Sequence, residues 1–490
     1  MMSSVIVVSN REPYEHNTVD GSVVCQRTDG GLVSALDPVL KRIGGTWVAW
    51  GSGDADREVQ SPVDSIPVPP DLPAYRLRRV WLEPAVVRNG GQGYANQVLW
   101  PLCHVTLDRV SYRKAFWVGY QALNRRFAET VLDELDKQPA PVWIHDYHLG
   151  ILPALIKKDS PDTTVCHFWH VPWPGPDVLR ILPERRELLE GLLAADCLTF
   201  QTMSYATAFA DCVTEFLDAT VTVDPFQATV LYRDHKTKLT SRAISVHFSQ
   251  FSDLAKSMEV EDLMVRTGHR LGVPRGVRIG LGVDRLDYTK GLMKRLWALK
   301  EFFDRYPEYR GKFTFLQVAI PTRNNVEAYR QYRDLIRKTV MEINDRFESP
   351  PEGKTKGWKP IEYIEGRVTP PTLVAYYRMA DLTLVTSVYD GMNLVAKEYV
   401  ASQVDETGVL VVSHLAGASE ELSGALIVNP YDQEGMADSI RQALEMSEKE
   451  RRDRMRQMRL HLSTHDIYHW AESCLRDVEI EVDHLQSVTG

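Results

Sequence analysis

Short runs of β-branched and apolar residues recur along the chain. Each ends in a polar or glycine-bearing turn and leads towards a helical pattern. Such runs occupy residues 5–8, 142–144, 165–169 and 197–200 in the first half, and residues 277–283, 313–319, 361–364, 382–386, 409–412 and 426–428 in the second. A run of this kind reads as a buried strand, and strands alternating with helices build parallel sheets with helices on their faces. The pattern therefore predicts an α/β fold. At 490 residues the chain suits two domains. One strand–helix series closes near Ser249 and a second opens at Val277, so the expected domains are 1–249 and 250–466. The amphipathic segment 467–490 is expected to cross back to the N-terminal domain.

Composition removes several classes of function. The net charge of −9 with a pI of about 5.9 argues against a general binder of nucleic acid or anionic membrane. The cysteines Cys25, Cys103, Cys166, Cys197, Cys212 and Cys474 form no C-x-x-C pair. That suits a reducing compartment and disfavours a cysteine-held metal. The first apolar run is too short for a signal segment, and no apolar window approaches a membrane span. A cytoplasmic protein acting on small molecules is the expectation, and a homo-oligomer stays open.

Open α/β sheets bind ligands at the carboxyl ends of their strands. Arg11 follows the first run. Gly30-Gly31 precedes a helical pattern and permits close backbone approach to a phosphate, although two glycines are a weak signal. Trp50 closes another strand. Asn89 to Gly93 is glycine-dense and reads as a loop, with Tyr94 and Trp100 as an aromatic floor for a sugar ring. Residues 142–148 run into His145-Asp146-Tyr147-His148. A metal is one reading, but no second ligand pair follows at a usual spacing except His167 and His170, which lie on an alternating strand. A substrate cleft using Asp146 and His170 reads better.

The second half carries sharper signals. Asp284 to Gly291 links a strand to a helix, and Arg285 and Lys290 can converge there on one diphosphate beside a helix N-terminus. Arg323 ends the next strand. Asp390-Gly391-Met392-Asn393-Leu394 is a strand–glycine–helix turn suited to an anion or sugar hydroxyls, and Glu398 can accept a ribose diol. Each of these residues also has a plain reading, as a surface charge or a routine turn. Walker A, G-x-G-x-x-G and G-x-S-x-G patterns are missing. The whole inventory suits a nucleotide-sugar transferase.

Ser9-Asn10-Arg11, Gly30-Gly31-Leu32, Leu99-Trp100-Pro101, Trp143 to His148, His170 to Pro174, Arg285 to Gly291 and Asp390 to Tyr399 resemble, in order, the motifs of trehalose-6-phosphate synthases. The resemblance runs from about Val5 to Trp470. It implies a GT-B architecture of two Rossmann-like domains facing an inter-domain cleft, with no metal and no cofactor. It implies retaining transfer of glucose from a nucleotide-glucose, such as UDP-glucose, ADP-glucose or GDP-glucose, to glucose 6-phosphate. Arg285 and Lys290 would then hold the diphosphate, with Gly31 close to it. Asp390, Gly391, Met392, Asn393 and Leu394 would hold the donor glucose, and Glu398 the ribose. Asp146 and His170 would orient the reacting sugars. Arg11 and Arg323 would grip the acceptor phosphate, with Trp50 and Trp100 nearby. The family points to a front-face mechanism, in which the departing phosphate takes the acceptor proton.

Two stretches depart from the family pattern. Family members usually carry a tyrosine-rich segment where this chain has Asn89 to Gly93, which opens the identity of the acceptor. The segment Ser245 to Ser249 lacks the usual proline and glycine. Glucosylglycerol-phosphate synthases and pseudo-glycosyltransferases share most of the motifs, and a regulatory protein that kept the fold is a further alternative.

Overall fold

A computed structural model describes residues 5–28, 30–59, 65–224, 227–271, 276–323, 326–347 and 358–477. Most of residues 349–359, whose proline, glycine and lysine content predicts a flexible loop, and the end of the C-terminal segment lie outside these residues. The chain divides into two compact units, Met1–Ile244 with Ile467–Gly490, and Ser245–Asp466. The change of unit falls at Ile244, not after Ser249. The helix Phe248–Ala255, opened by the His247 imidazole accepting the Gln250 N–H, packs with Val374 and Ala375 inside the second unit.

The second unit holds a six-stranded parallel sheet. Its spatial order is Ile361–Glu365, Phe313–Ile320, Arg278–Arg285, Leu382–Val385, Val409–Ser413 and Leu426–Val428. Numbered by sequence, that is the 3-2-1-4-5-6 order of a doubly wound nucleotide-binding sheet. The order reverses between Arg278–Arg285 and Leu382–Val385, so the loops after these two strands flank the crevice where such sheets bind ligands. Leu296, Leu299, Phe302 and Phe303 on the helix Leu292–Arg305 pack on Phe313 and Phe315, which closes the core on that face.

The first unit repeats the logic within a ten-stranded sheet. Its parallel part runs Tyr75–Val80, Thr46–Trp50, Ile6–Arg11, Val142–His145, Val165–Trp169, Cys197–Phe200 and His235–Ser241. Here the order reverses between Ile6–Arg11 and Val142–His145, which places Arg11 and Asp146 at the carboxyl ends of the two central strands. Antiparallel strands finish both edges. One of them, Ser65–Val68, lies inside residues 54–73, whose polar and proline-rich sequence predicts a mostly loop connection. A hairpin, Tyr14–Val19 with Ser22–Arg27, turns through Asp20-Gly21, both at positive φ. The helix Ile467–Arg476 belongs to this unit. It buries Trp470 against Trp143 and Phe168, with ring centroids 5.3 Å away in each case. Among the described residues no helix is long and apolar enough to cross a membrane.

The glycine-dense stretch is not a loop. Residues Val87–Leu99 form a wide helix, in which the Trp100 N–H reaches the Ala95 carbonyl five residues back. The cause is packing against the helix Lys114–Lys137. A Cβ on Gly90 would stand 2.6 Å from the Gly119 carbonyl oxygen, and one on Gly93 would stand 2.5 Å from the Phe116 ring. The glycines let two helices touch backbone to backbone. Tyr94 is accordingly in the core, between Trp117 and Tyr120 at 5.0 and 4.7 Å, and is no sugar platform. Gly90→Ala is expected to lower stability by about 1–3 kcal/mol, as overpacking does. Urea denaturation of the variant beside the parent protein checks this.

Candidate functional site

In the second unit, the loops at the topological switch point carry the charged residues expected from the sequence. Arg278–Arg285 ends with Arg285 exposed, and the chain turns through Asp287 and a short turn at Tyr288–Lys290. The Asp287 carboxylate accepts the Thr289 N–H and hydroxyl, both at 3.0 Å. Gly291 then adopts φ 69° and opens the helix Leu292–Arg305. A side chain there would run into the Thr386 carbonyl at 2.0 Å, so only glycine brings the two loops this close.

Lys290 crosses to the second loop, where its Nζ donates to Asp390 Oδ2 at 2.5 Å. The same carboxylate oxygen accepts from the Ser387 hydroxyl at 3.0 Å and the Asn393 amide at 3.1 Å. Asn393, at φ 86°, caps the helix Leu394–Ser402 by accepting the Ala396 N–H. The turn Asp390-Gly391-Met392 is pinned from behind, since the Gly417 N–H donates to the Asp390 carbonyl and the Ala418 N–H to the Met392 carbonyl. Gly391, Met392, Asn393 and Leu394 are thereby held in one conformation at a helix N-terminus, where first-turn N–H groups lack intrahelical partners.

Arg323 also belongs to this cluster. Its guanidinium reaches Asp287 Oδ2 at 3.3 Å and bonds the Tyr329 hydroxyl. Burial alone would raise the Asp287 carboxyl, but Arg323, Arg285, the Thr289 N–H and Lys290 bring it below the ordinary carboxylate range. Three cations thus surround one buried carboxylate, and the loop favours a further anion. Glu398 sits one turn into its helix and accepts from the Tyr377 hydroxyl at 2.7 Å. Burial raises its carboxyl and the Tyr377 bond opposes that. Beneath the loops, the fully buried Arg295 ties Asp284, Gln317 and Thr386 together. Sequence reasoning missed Asp287, Arg295 and Tyr377, because their partners lie on other strands and helices.

In the first unit, Arg11 is exposed at its strand end, and its Nη1 lies 3.4 Å from where a Gly30 Cβ would stand. Gly31 is the first residue of the helix Gly31–Ile43. The neighbouring Glu12 is wholly buried and accepts the Ser52 N–H at 2.6 Å, which fixes the backbone just after Trp50. Asp146 follows Val142–His145 at φ 75°, with its N–H bonded to the Phe168 carbonyl. Trp100 is only 5% exposed, packed on His104 at 4.1 Å and Tyr147 at 5.7 Å, so it offers a substrate little surface where it stands.

The His-Asp-x-His cluster divides. His145 turns into the sheet and meets His170, with Nδ1 and Nε2 3.0 Å apart. His148 instead lies beside the Tyr147 ring. Among the described residues no group of three His, Cys, Asp or Glu is placed to hold a metal. Burial pushes the imidazoles of His145, His167 and His170 well down, the latter two to about 3, so all three are neutral near pH 7. A depressed pKa makes their contribution to stability complete above pH 6.5 and lost as the pH falls towards 3. His167→Gln is therefore expected to flatten the fall of stability between pH 6.5 and 4.5 by up to about 1.4 kcal/mol per pH unit. Urea denaturation at several pH values reads that slope.

The family model that matches is "Glycosyltransferase family 20", over residues 3–480. The "Trehalose-6-phosphate synthase" of Mycobacterium avium is 36% identical over 479 residues, spanning 96% of this chain and 94% of that protein. The "Alpha,alpha-trehalose-phosphate synthase [UDP-forming] A" of Dictyostelium discoideum is 31% identical over 475 residues, and the chain spans 62% of its length. Among solved structures, an α,α-trehalose-phosphate synthase (UDP-forming) from Burkholderia xenovorans in complex with glucose-6-phosphate superposes with a TM-score of 0.86. It is 31% identical, and the match covers 97% of this chain and 100% of that one.

Proposed function

The chain belongs to glycosyltransferase family 20, and from that premise we propose that it moves glucose from UDP-glucose to glucose 6-phosphate with retention, giving trehalose 6-phosphate. The fold is GT-B, two Rossmann-like units. The observation that carries the reading is the pair of loops joined by Lys290 and Asp390 at the switch point of the second unit, on a chain that matches the family from end to end.

Arg285 and Lys290 bind the donor diphosphate and stabilise the charge that develops on it as the glycosidic bond breaks. Asp390 accepts hydroxyls of the donor glucose, and the backbone from Gly391 to Leu394 donates to it. Glu398 accepts the ribose diol. Gly31 lets the backbone come close to the donor phosphate. On the acceptor side, Arg11 and Arg323 take the phosphate, while Asp146 and Trp50 frame the sugar; Trp100, packed on His104 and Tyr147, acts from behind the site. The acceptor hydroxyl attacks the face from which the leaving group departs, and a phosphate oxygen of that group takes its proton. A double displacement would need a carboxylate nucleophile, for which Asp146 is the candidate, but the cluster supplies cations for a leaving group and no carboxylate pair. The chemistry as proposed uses protein cations and no metal. The free thiols suit a cytoplasmic enzyme.

A second reading has one observation behind it. The wide helix Val87–Leu99 bonds its own backbone and carries no tyrosine before Tyr94, so its N–H groups do not replace the family's tyrosines at the acceptor phosphate. A smaller acceptor, such as glycerol 3-phosphate, is then the alternative. One assay separates the two: UDP-glucose is offered with glucose 6-phosphate, glycerol 3-phosphate and unphosphorylated sugars in parallel. Trehalose 6-phosphate is the expected product, and turnover with glycerol 3-phosphate alone overturns the first reading.

Arg11→Ala is expected to raise the acceptor KM roughly tenfold to a hundredfold, the scale of a lost charge-assisted hydrogen bond. Arg323→Ala is expected to do the same and also weaken donor binding, because Arg323 holds Asp287. Steady-state kinetics against each substrate in turn separates the two effects.

A further inference from the structure

Gln201 follows the strand Cys197–Phe200, is buried, and has both ends of its amide engaged. Its Oε1 accepts the Ile244 N–H at 3.0 Å, and its Nε2 lies 3.2 Å from His170 Nδ1. The Ile244 N–H can only donate, so the amide oxygen must face it and the amide NH2 must face His170. The NH2 can only donate, so His170 Nδ1 must accept. A neutral His170 then carries its proton on Nε2, and that N–H points to His145 Nδ1 at 3.0 Å. His145 in turn carries its proton on Nε2, which has no hydrogen-bond acceptor among the described residues. The line of donors and acceptors is determined from one end to the other by a single backbone N–H.

We infer that Gln201 is a positioning residue that fixes His170 as the neutral Nε2–H tautomer, so that His170 meets a sugar hydroxyl as a hydrogen-bond donor and never as a base. The inference rests on the placing of His170 at the reacting sugars. With Nδ1 occupied by the Gln201 amide and Nε2 protonated, the ring has no lone pair to take the acceptor's proton. That proton is left to the departing phosphate. When a sugar oxygen arrives, the Nε2–H exchanges His145 for it without any change of protonation. The anchor is Ile244, the last residue before the chain enters the second unit. A change in backbone direction there reaches the imidazole through two hydrogen bonds.

The test uses the full-length protein with 15N-labelled histidine, and His170→Asn assigns the His170 signals. In the parent protein the His170 nitrogens are expected to show a protonated Nε2 and a bare Nδ1. Gln201→Glu keeps the shape but offers only acceptors, so it should move the proton to Nδ1 or charge the ring. It should also lower kcat about tenfold to a hundredfold while changing the acceptor KM less than threefold. Gln201→Met, which withdraws the donor without adding an acceptor, should leave a mixture of tautomers. A parent spectrum with the proton on Nδ1 overturns the assignment. So does a Gln201→Glu protein, folded by circular dichroism, whose His170 shifts and kcat match the parent's. The spectra need no turnover, so a failure of the proposed reaction leaves them readable and is told apart from a failure of the tautomer.

Discussion

Lys290→Ala is expected to cut kcat for glucosyl transfer by a factor on the order of one hundred or more, with the folded state retained. Lys290 does two things at once. In the proposed reaction its ammonium binds the leaving diphosphate, and in the structure it pairs with Asp390, which is only 8% exposed and shares its oxygen with Ser387 and Asn393. On the proposed reading, removing it takes a cation from the leaving group and leaves the Asp390 carboxylate without its ammonium partner. Arg285→Ala removes a cation alone and should cost less. Lys290→Arg should not rescue, because a planar fork cannot replace a compact ammonium in a turn closed by Gly291. Steady-state kinetics at saturating donor, with circular dichroism on the same samples, decides the matter. A kcat within threefold of the parent's would remove Lys290 from the proposed machinery.

The largest effect on stability is expected at Arg79, in the first unit. This guanidinium is 2% exposed and donates through Nε to Glu12 at 2.8 Å and through Nη2 to the Tyr14 carbonyl at 3.1 Å. Its Nη2 also stands 2.8 Å from Asp56, whose carboxylate holds the N–H groups of His16 and Gly53. Burial pushes the Glu12 carboxyl up to about 8, its hydrogen bond with Asp56 adds to that, and Arg79 opposes both. The two carboxyls and one guanidinium therefore sit near neutrality with one carboxyl proton kept. Arg79→Ala strands the pair in the core, and losing one partner of a buried ion pair costs about 3–5 kcal/mol. Denaturant titration reads the loss. Because Glu12 follows Arg11 and fixes the backbone after Trp50, acceptor binding should weaken in the same variant.

Much of this was legible from the chain itself. The β-branched runs marked the parallel strands, and the residues at their ends, Arg11, Asp146, Arg285 and Asp390, lie at the two switch points because strand order puts them there. The Asp20-Gly21 turn is an equally local signal, a type of dipeptide that hairpins favour. What stayed hidden depended on contacts between distant residues. Gly90 and Gly93 read as a loop by composition, and only Gly119 and Phe116 on another helix make them a wide helix. His145 and His148 looked like a pair by spacing, but the neighbouring strand brings His170 to His145 instead. Arg323 reads as a strand-end arginine by itself, and only the sheet brings it to Asp287 on the neighbouring loop.

The helix Ile467–Arg476 closes a surface made by residues from the start of the chain. Trp470 covers Trp143 and Phe168, Tyr468 lies under Arg42 at 3.7 Å, and Asp477 holds Lys238 at 2.9 Å. During synthesis the first unit must wait for this helix while the whole second unit is translated. At 5–20 residues per second that wait is roughly ten to forty seconds. The second unit, continuous in sequence, can finish while the first still shows an apolar patch around Trp143 and Phe168. A nascent chain of this protein should therefore be held by chaperones through its N-terminal half until the helix Ile467–Arg476 leaves the ribosome.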